Sequence, residues 1–226
     1  MQSTPKYAII VAGGVGKRMG SKIPKQFLEL KTRPILMRTI EVFSNFSEQI
    51  KIILVLPEAH LDTWTTMCRI YNFNIPVTLI TGGETRFQSV RKGLGAIEGN
   101  DGLVAIHDGV RPLIDPAIIE ESYKKAELYG SAVAVVPLKN SIRQLNSEGS
   151  TAMNRESFRL VQTPQTFQLA GIKQAYQINE EPTFTDDASV WEASGNKITL
   201  IDGSEKNLKI TTIRDLLIAE TLMKLE

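Results

Sequence analysis

The chain has 226 residues, 42% of them hydrophobic, and its 26 Lys and Arg against 25 Asp and Glu leave a formal net charge of +1. That balance excludes a nucleic-acid binder held by bulk electrostatics, while a single cysteine, Cys68, and two histidines, His60 and His107, exclude an intrachain disulfide and leave little for zinc. No apolar run reaches membrane-spanning length and residues 1–6 lack the pattern of a signal peptide, so one cytoplasmic domain over 1–226 with no nucleic-acid or membrane partner is expected.

The chain opens with an apolar strand at 7–12 that runs into Gly13, Gly14 and Gly16, followed by Lys17, Arg18, Lys22 and Lys25. Glycines at such a turn let backbone N–H groups approach an anion, and the cations add charge that amides alone do not supply, so the segment suits a polyphosphate. It is not a Walker A loop: the position five before Gly16 is Val11, and Arg18 stands where a magnesium-binding hydroxyl belongs. It is not a dinucleotide fingerprint either, since Met19 takes the third small position and Pro24 interrupts the helix that should begin there. The competing reading is a glycine turn with a solvated basic face. Lys25, set after Pro24, is expected to face solvent until a nucleotide binds.

Apolar, β-branched runs at 51–56, 76–80, 103–107 and 132–137 alternate with helical patterns near 34–44, 58–71, 86–97 and 116–129, of which the first and last open with a proline at the first helical position. This is repeated βα winding, which predicts a mainly parallel sheet with helices on both faces. Ligands in such sheets sit beyond the carboxyl ends of the strands, so the loops after 12, 80, 107 and 137 are expected to share a cleft. In the second of these, Gly82 and Gly83 turn the chain, Glu84 and Arg86 enter a helix, and Ser89 lies one turn inside it. The spacing fits carbonyls and a hydroxyl that read a base edge, or simply a glycine turn with an acid at a helix start. In the third, HDGVRP puts Asp108 and Arg111 at a strand end, suited to Mg²⁺ or a ligand hydroxyl, or to an ion pair that closes the loop. His107 is expected to pack or hydrogen-bond locally, and no nucleophile elbow supports a serine hydrolase.

Residues 138–158 read as two polar, partly alternating segments around turn residues 146–150, either a protruding hairpin arm or a surface excursion. Further on, TDDAS at 185–189 reads as a helix start with Thr185 as its cap, and a terminal helix presents Ile213, Leu216, Leu217, Ala219, Leu222 and Met223 on one apolar face.

Taken in order, VAGGVGKRMGSKIPKQFL, GGETRFQSV, HDGVRP, QTPQTF, TDDAS and NLKIT resemble the 2-C-methyl-D-erythritol 4-phosphate cytidylyltransferase family over residues 7–225. The first block is shared with other sugar-phosphate nucleotidyltransferases, whereas the later blocks together discriminate. The resemblance implies a Rossmann-like nucleotidyltransferase fold of class α/β, with a mainly parallel twisted sheet flanked by helices and a protruding β-hairpin dimerisation arm at about 138–158. It implies CTP and a polyol phosphate as substrates, Mg²⁺ with the CTP, and a homodimer. By the same resemblance, Ala12, Gly13, Gly14 and Gly16 wrap the ribose and triphosphate, Arg18 and Lys25 take the phosphates, and Gly83, Glu84 and Ser89 contact cytosine. Asp108 and Thr185 address the acceptor's hydroxyls, while Lys209, Arg111 and the partner arm's Ser141 and Arg155 surround its phosphate. Arg18, Lys25, Lys209 and Arg155 are the catalytic set; no metal ligand is assigned, Asp108 at its strand end being the candidate. The family usually shows HDAARP where this chain has Gly109 and Val110, Asp where it has Glu84, and Thr where it has Ser141. Two rival readings are a ribitol 5-phosphate cytidylyltransferase, which usually departs from TDDAS, and a non-catalytic nucleotide-binding module, which is expected to lose Arg18, Lys25 or Asp108.

Overall fold

The computed structural model describes residues 4–14, 23–147 and 149–224. Its strands are β1 (Lys6–Val11), β2 (Glu29–Leu30), β3 (Arg33–Pro34), β4 (Lys51–Leu56), β5 (Thr78–Thr81), β6 (Leu103–Asp108), β7 (Ser131–Pro137), β8 (Ile142–Asn146), β9 (Gly149–Met153), β10 (Arg159–Gln168) and β11 (Leu200–Asp202). The helices are α1 (Ile35–Phe46), α2 (Leu61–Ile70), α3 (Arg86–Gly95), α4 (Pro116–Tyr129), α5 (Leu169–Ala175), α6 (Asp187–Ala193) and α7 (Ile213–Leu222). Seven strands form one sheet in the order β11-β7-β10-β6-β1-β4-β5. All its pairings are parallel except those of β10, which runs antiparallel to both β6 and β7.

Both faces of the sheet are buried, which is why its central strands read as continuous apolar runs. Along β1, Ala8 and Ile10 point into one cluster with Met37 and Ile40 of α1 and Ile119 and Tyr123 of α4. Tyr7, Ile9 and Val11 alternate into the opposite cluster with Val90 of α3, Ile172 of α5 and Trp191 of α6. Pro116 opens α4 at its first position as expected, with the Asp115 side chain accepting from Ala117 N at 2.8 Å. Pro34 instead caps α1 from outside the helix, its ψ of 140° being extended.

The strand that the sequence does not betray is β10. Pro164 sits inside it, and a proline in a central strand removes a ladder hydrogen bond. The register shift between Val161 and Gln165 takes Gln162, Thr163 and Pro164 out of the pairing with β7, so the irregular stretch absorbs the missing donor. The segment before β10 is the expected hairpin: β8 pairs antiparallel with β9 from Ile142↔Met153 to Asn146↔Gly149. The terminal helix departs from its simple apolar face. Leu216, Ala219 and Met223 pack against Leu30, Ile35 and Ile210, but Ile213 and Leu217 are about half exposed. Among the described residues no helix is long and apolar enough to cross a membrane.

Candidate active site

Three backbone ties gather loops at the carboxyl ends of the strands. Ala12 N donates to Val55 O at 3.0 Å, Gly109 N to Val11 O at 2.9 Å and Gly82 N to Leu56 O at 2.7 Å. The loops after β1, β5 and β6 therefore open into one cleft of about 270 Å³, lined by Ala12, Gly13, Gly14, Lys25, Gly83, Glu84, Ser89, Asp108 and Lys209 among others. The fourth expected loop, after β7, does not join them: none of residues 138–141 lines this cleft or its neighbour. That loop leaves the sheet to become the hairpin, and the irregular stretch of β10 takes its place.

On one side of the cleft, Gly13 and Gly14 are exposed, with the Lys25 side chain folded beside them. Lys25 Cε and Nζ lie 3.4 and 3.8 Å from where a Cβ on Gly14 would stand. Lys25 is only 9% exposed, which corrects the expectation of a solvent-facing side chain: the short 3₁₀ turn Lys25–Phe27 lays it down against the loop. Gln26, unremarked in the sequence, is fully buried, and its Nε2 donates to Ala12 O at 3.0 Å, fixing the exit from β1. Gly16 and Arg18 lie outside the described residues.

Across the cleft, the 82–85 turn is closed by its own helix. Ser89 Oγ accepts from Gly83 N at 3.1 Å, and Thr85 caps α3 by accepting from Gln88 N. A Cβ on Gly83 would come within 2.3 Å of Gln88 Cβ, so this turn tolerates only glycine. Glu84 is exposed at its tip, and its N–H donates to Gln88 Oε1 at 3.1 Å. Ser89 thus reaches the cleft as part of the turn's own bonding.

The floor is an ion cluster on Asp108, the last residue of β6. Its Oδ2 accepts from Lys209 Nζ at 3.0 Å and Arg111 Nε at 3.2 Å, and Oδ1 lies 4.0 Å from Arg86 Nε. Burial alone would raise its pKa, but Lys209, Arg86 and Arg111 outweigh that and hold it well below the usual carboxylate range. The sequence left open a ligand-binding Asp108 or an Asp108–Arg111 ion pair; the ion pair is present, and the carboxylate still lines the cleft. His107 behaves as expected: it is fully buried, Nε2 lies 3.1 Å from Arg111 O, and burial pushes its pKa down to about 4.

A second cleft of about 260 Å³ adjoins the first, lined by Arg111, Gln162, Thr163, Thr185 and Asp186. The two linings have Arg86, Asp108 and Lys209 in common. Thr185 is therefore placed at the second cleft, but it is not the helix cap: Asp186 accepts from Ser189 N at 2.9 Å and Ser189 returns the bond in a capping box. Freed from capping, the Thr185 hydroxyl is available to the cleft. Asn207, also missed in the sequence, orders the loop that carries Lys209. It is fully buried, its Nδ2 donates to Thr163 O at 2.7 Å, and its carbonyl takes Arg111 Nη1 at 2.7 Å. Ser141 and Arg155 stand apart. Both are exposed, and Arg155 Nη1 donates to Lys139 O at 2.6 Å at the base of the hairpin.

A glycine-edged cleft with a buried lysine, joined to a second cleft through two cations and one carboxylate, suits two anionic substrates that meet at a phosphorus. The model of the 2-C-methyl-D-erythritol 4-phosphate cytidylyltransferase family matches residues 7–225. The chain belongs to that family. Enzymes of this name from Phocaeicola vulgatus and Bacteroides fragilis are each 44% identical to it over 218 residues, which is 96% of this chain and 99% of theirs. Among solved structures, the 4-diphosphocytidyl-2C-methyl-D-erythritol synthase of Anaerococcus prevotii superposes with a TM-score of 0.85 at 26% identity, covering 98% of this chain and 96% of that one. The family's cytidylyltransferase from Francisella tularensis gives a TM-score of 0.75 at 27% identity, covering 96% and 99%.

One departure from the usual family pattern has a structural reason. A Cβ on Gly109 would lie 2.9 Å from both Ala12 Cβ and Leu36 Cδ1, so the glycine makes room for the α1 side chain beneath the loop. Val110, its neighbour, is buried with Leu30, Ile35 and Ile210.

Proposed function

We propose that the protein transfers CMP from CTP to 2-C-methyl-D-erythritol 4-phosphate, releasing pyrophosphate and giving 4-diphosphocytidyl-2-C-methyl-D-erythritol, as a cytoplasmic homodimer. A phosphate oxygen of the acceptor attacks the α-phosphorus, one P–O bond forms, and the bond to the bridging oxygen of the pyrophosphate breaks. No protein nucleophile is needed. The enzyme's work is to align two polyanions that repel each other and to stabilise charge on the equatorial and leaving oxygens.

The observation that carries this reading is the pair of clefts that share Arg86, Asp108 and Lys209. In the first, Ala12, Gly13, Gly14 and Gly16 cradle the ribose and triphosphate, Lys25 and Arg18 hold the phosphates, and Gly83, Glu84 and Ser89 read the base. In the second, Asp108 and Thr185 take acceptor hydroxyls and Lys209 and Arg111 its phosphate. Mg²⁺ enters as the counter-ion of CTP. Asp108 is a poor resident ligand for it, because Oδ2 already accepts from two cations at 3.0 and 3.2 Å. No group of three or more acidic, His or Cys side chains that would hold a metal stands among the described residues.

Ser141 and Arg155 reach neither cleft of their own chain, and Leu145 near the hairpin tip is 82% exposed. Both facts favour an arm that completes the acceptor phosphate site of a second copy. The reading is tested by pyrophosphate release from purified protein with CTP and Mg²⁺, comparing 2-C-methyl-D-erythritol 4-phosphate with ribitol 5-phosphate. Strong release with the first acceptor and little with the second is the expected result, and the reverse preference overturns the substrate assignment.

A further inference from the structure

Arg86 and Asp187 form a paired fork that none of the roles above uses. Arg86 Nη1 and Nη2 meet Asp187 Oδ1 and Oδ2 at 2.8 and 2.6 Å, a bidentate pair between residues 101 positions apart. Asp187 is wholly buried, and the Tyr176 hydroxyl also donates to its Oδ1 at 2.6 Å. Burying a carboxylate costs desolvation that an apolar pair of similar volume avoids, so such a pair is weak evidence for stability and needs another reason to be there. Its geometry supplies one. The fork uses both terminal nitrogens of Arg86 and leaves the Nε edge, which faces Asp108 Oδ1 at 4.0 Å on the boundary of the two clefts. Lys209 and Arg111 hold the other oxygen of Asp108, so Arg86 alone among the three cations stands on the Oδ1 side.

We propose that Arg86 is a positioning residue: clamped by Asp187, it orients the Asp108 carboxylate for the acceptor, and so ties the nucleotide-side turn before α3 to the acceptor-side start of α6. The proposal rests on the cytidylyl-transfer reading. Its consequence is selective. Neutralising the fork disturbs Asp108 and hence acceptor binding, while the glycine loop and Lys25, on the far side of the first cleft, keep their hold on CTP.

The test is the double variant Arg86→Gln/Asp187→Asn, which removes both charges but keeps an amide pair and an acceptor for Tyr176. The KM for the acceptor is expected to rise at least tenfold while the Kd for CTP, measured by calorimetry, stays within twofold. Because Arg86 acts through Asp108, adding Arg86→Gln to Asp108→Asn is expected to raise the acceptor KM no further, the mark of a shared pathway in a mutant cycle. An acceptor KM within twofold of wild type overturns the proposal. So does equal weakening of acceptor and CTP, as general loosening would give, or full additivity with Asp108→Asn. If the double variant does not fold, Arg86→Lys, which keeps the charge and loses the fork, is judged by the same measurements. A wild type that transfers no cytidylyl group overturns the functional reading and this one with it; an active wild type with indifferent variants overturns this one alone.

Discussion

Replacing Asp108 by Asn removes the carboxylate that Lys209, Arg111 and Arg86 all face while keeping the side chain's shape. At the observed 3.0 Å to Lys209 and 3.2 Å to Arg111, each attraction is about 5 kcal/mol at an effective dielectric near 20, before desolvation is counted. Much of that is offset. Lys209 is 42% exposed and returns to water, and Arg111 keeps the Asn207 carbonyl, so the net cost falls at the lower end of the range for breaking a buried pair, about 3 kcal/mol. For a chain of this size that corresponds to a Tm lower by about 6–12 °C. The sign with pH follows from the depressed pKa of Asp108. A carboxylate held below its unfolded value contributes stability that is full above about pH 4 and is lost as the pH falls toward the folded value. Wild type carries that dependence and the Asn variant does not, so the gap between them narrows on acidification, by about 0.7 kcal/mol between pH 6 and pH 3.5. Urea unfolding of both proteins across that range measures it. CTP binding is expected to hold, because the cleft gains net positive charge, while the acceptor KM rises. A variant within about 2 °C of wild type at neutral pH, or a gap that stays constant on acidification, would refute the reading of Asp108 as the anionic centre of the site.

Lys25→Ala is expected to lower kcat by about 10²–10³, the scale for removing one preorganised transition-state donor; near-native turnover by a folded variant would remove Lys25 from the phosphate site. Gly109→Ala pushes a methyl against Ala12 and Leu36, so thermal unfolding should show a loss of about 1–3 kcal/mol from overpacking, and an unchanged Tm would mean that α1 shifts freely. For the shared site, a dimer of one Lys25→Ala chain and one Arg155→Ala chain has one doubly damaged and one intact site if Arg155 acts on the partner. Activity is then recovered on co-refolding the two weak variants. Failure to recover it, once mass spectrometry has confirmed mixed dimers, rejects the exchanged arm.

Much of the fold is written locally. Strands β1, β4, β6 and β7 were legible because a parallel sheet covered on both faces demands unbroken apolar runs, and the start of α4 because Pro116 marks its first position. The 82–83 turn and the hairpin turn were legible because backbone geometry there restricts the residue type: a Cβ on Gly83 would meet Gln88, and Gly149 has a φ of +130°. The motifs carried the family, since their order along the chain is itself the signal.

What the sequence could not decide depends on residues far apart along it. Pro164 disfavours a central strand, and only the register shift opposite β7 shows how β10 lies between β7 and β6 and brings Gln162 and Thr163 to the acceptor cleft. Thr185 and Asp186 are both chemically able to cap α6, and the choice falls to the backbone, extended at Asp186, which leaves Thr185 to the cleft. The burial of Lys25 depends on Gly14 lying against it, and the reach of Arg86 to Asp187 on how α3 and α6 pack on one face of the sheet. Local sequence determines which elements form, because φ/ψ preference and hydrophobic period act over a few residues. Which side chains then meet as pairs is decided by sheet order and helix packing, where the free energy of each contact depends on burial that no single segment contains.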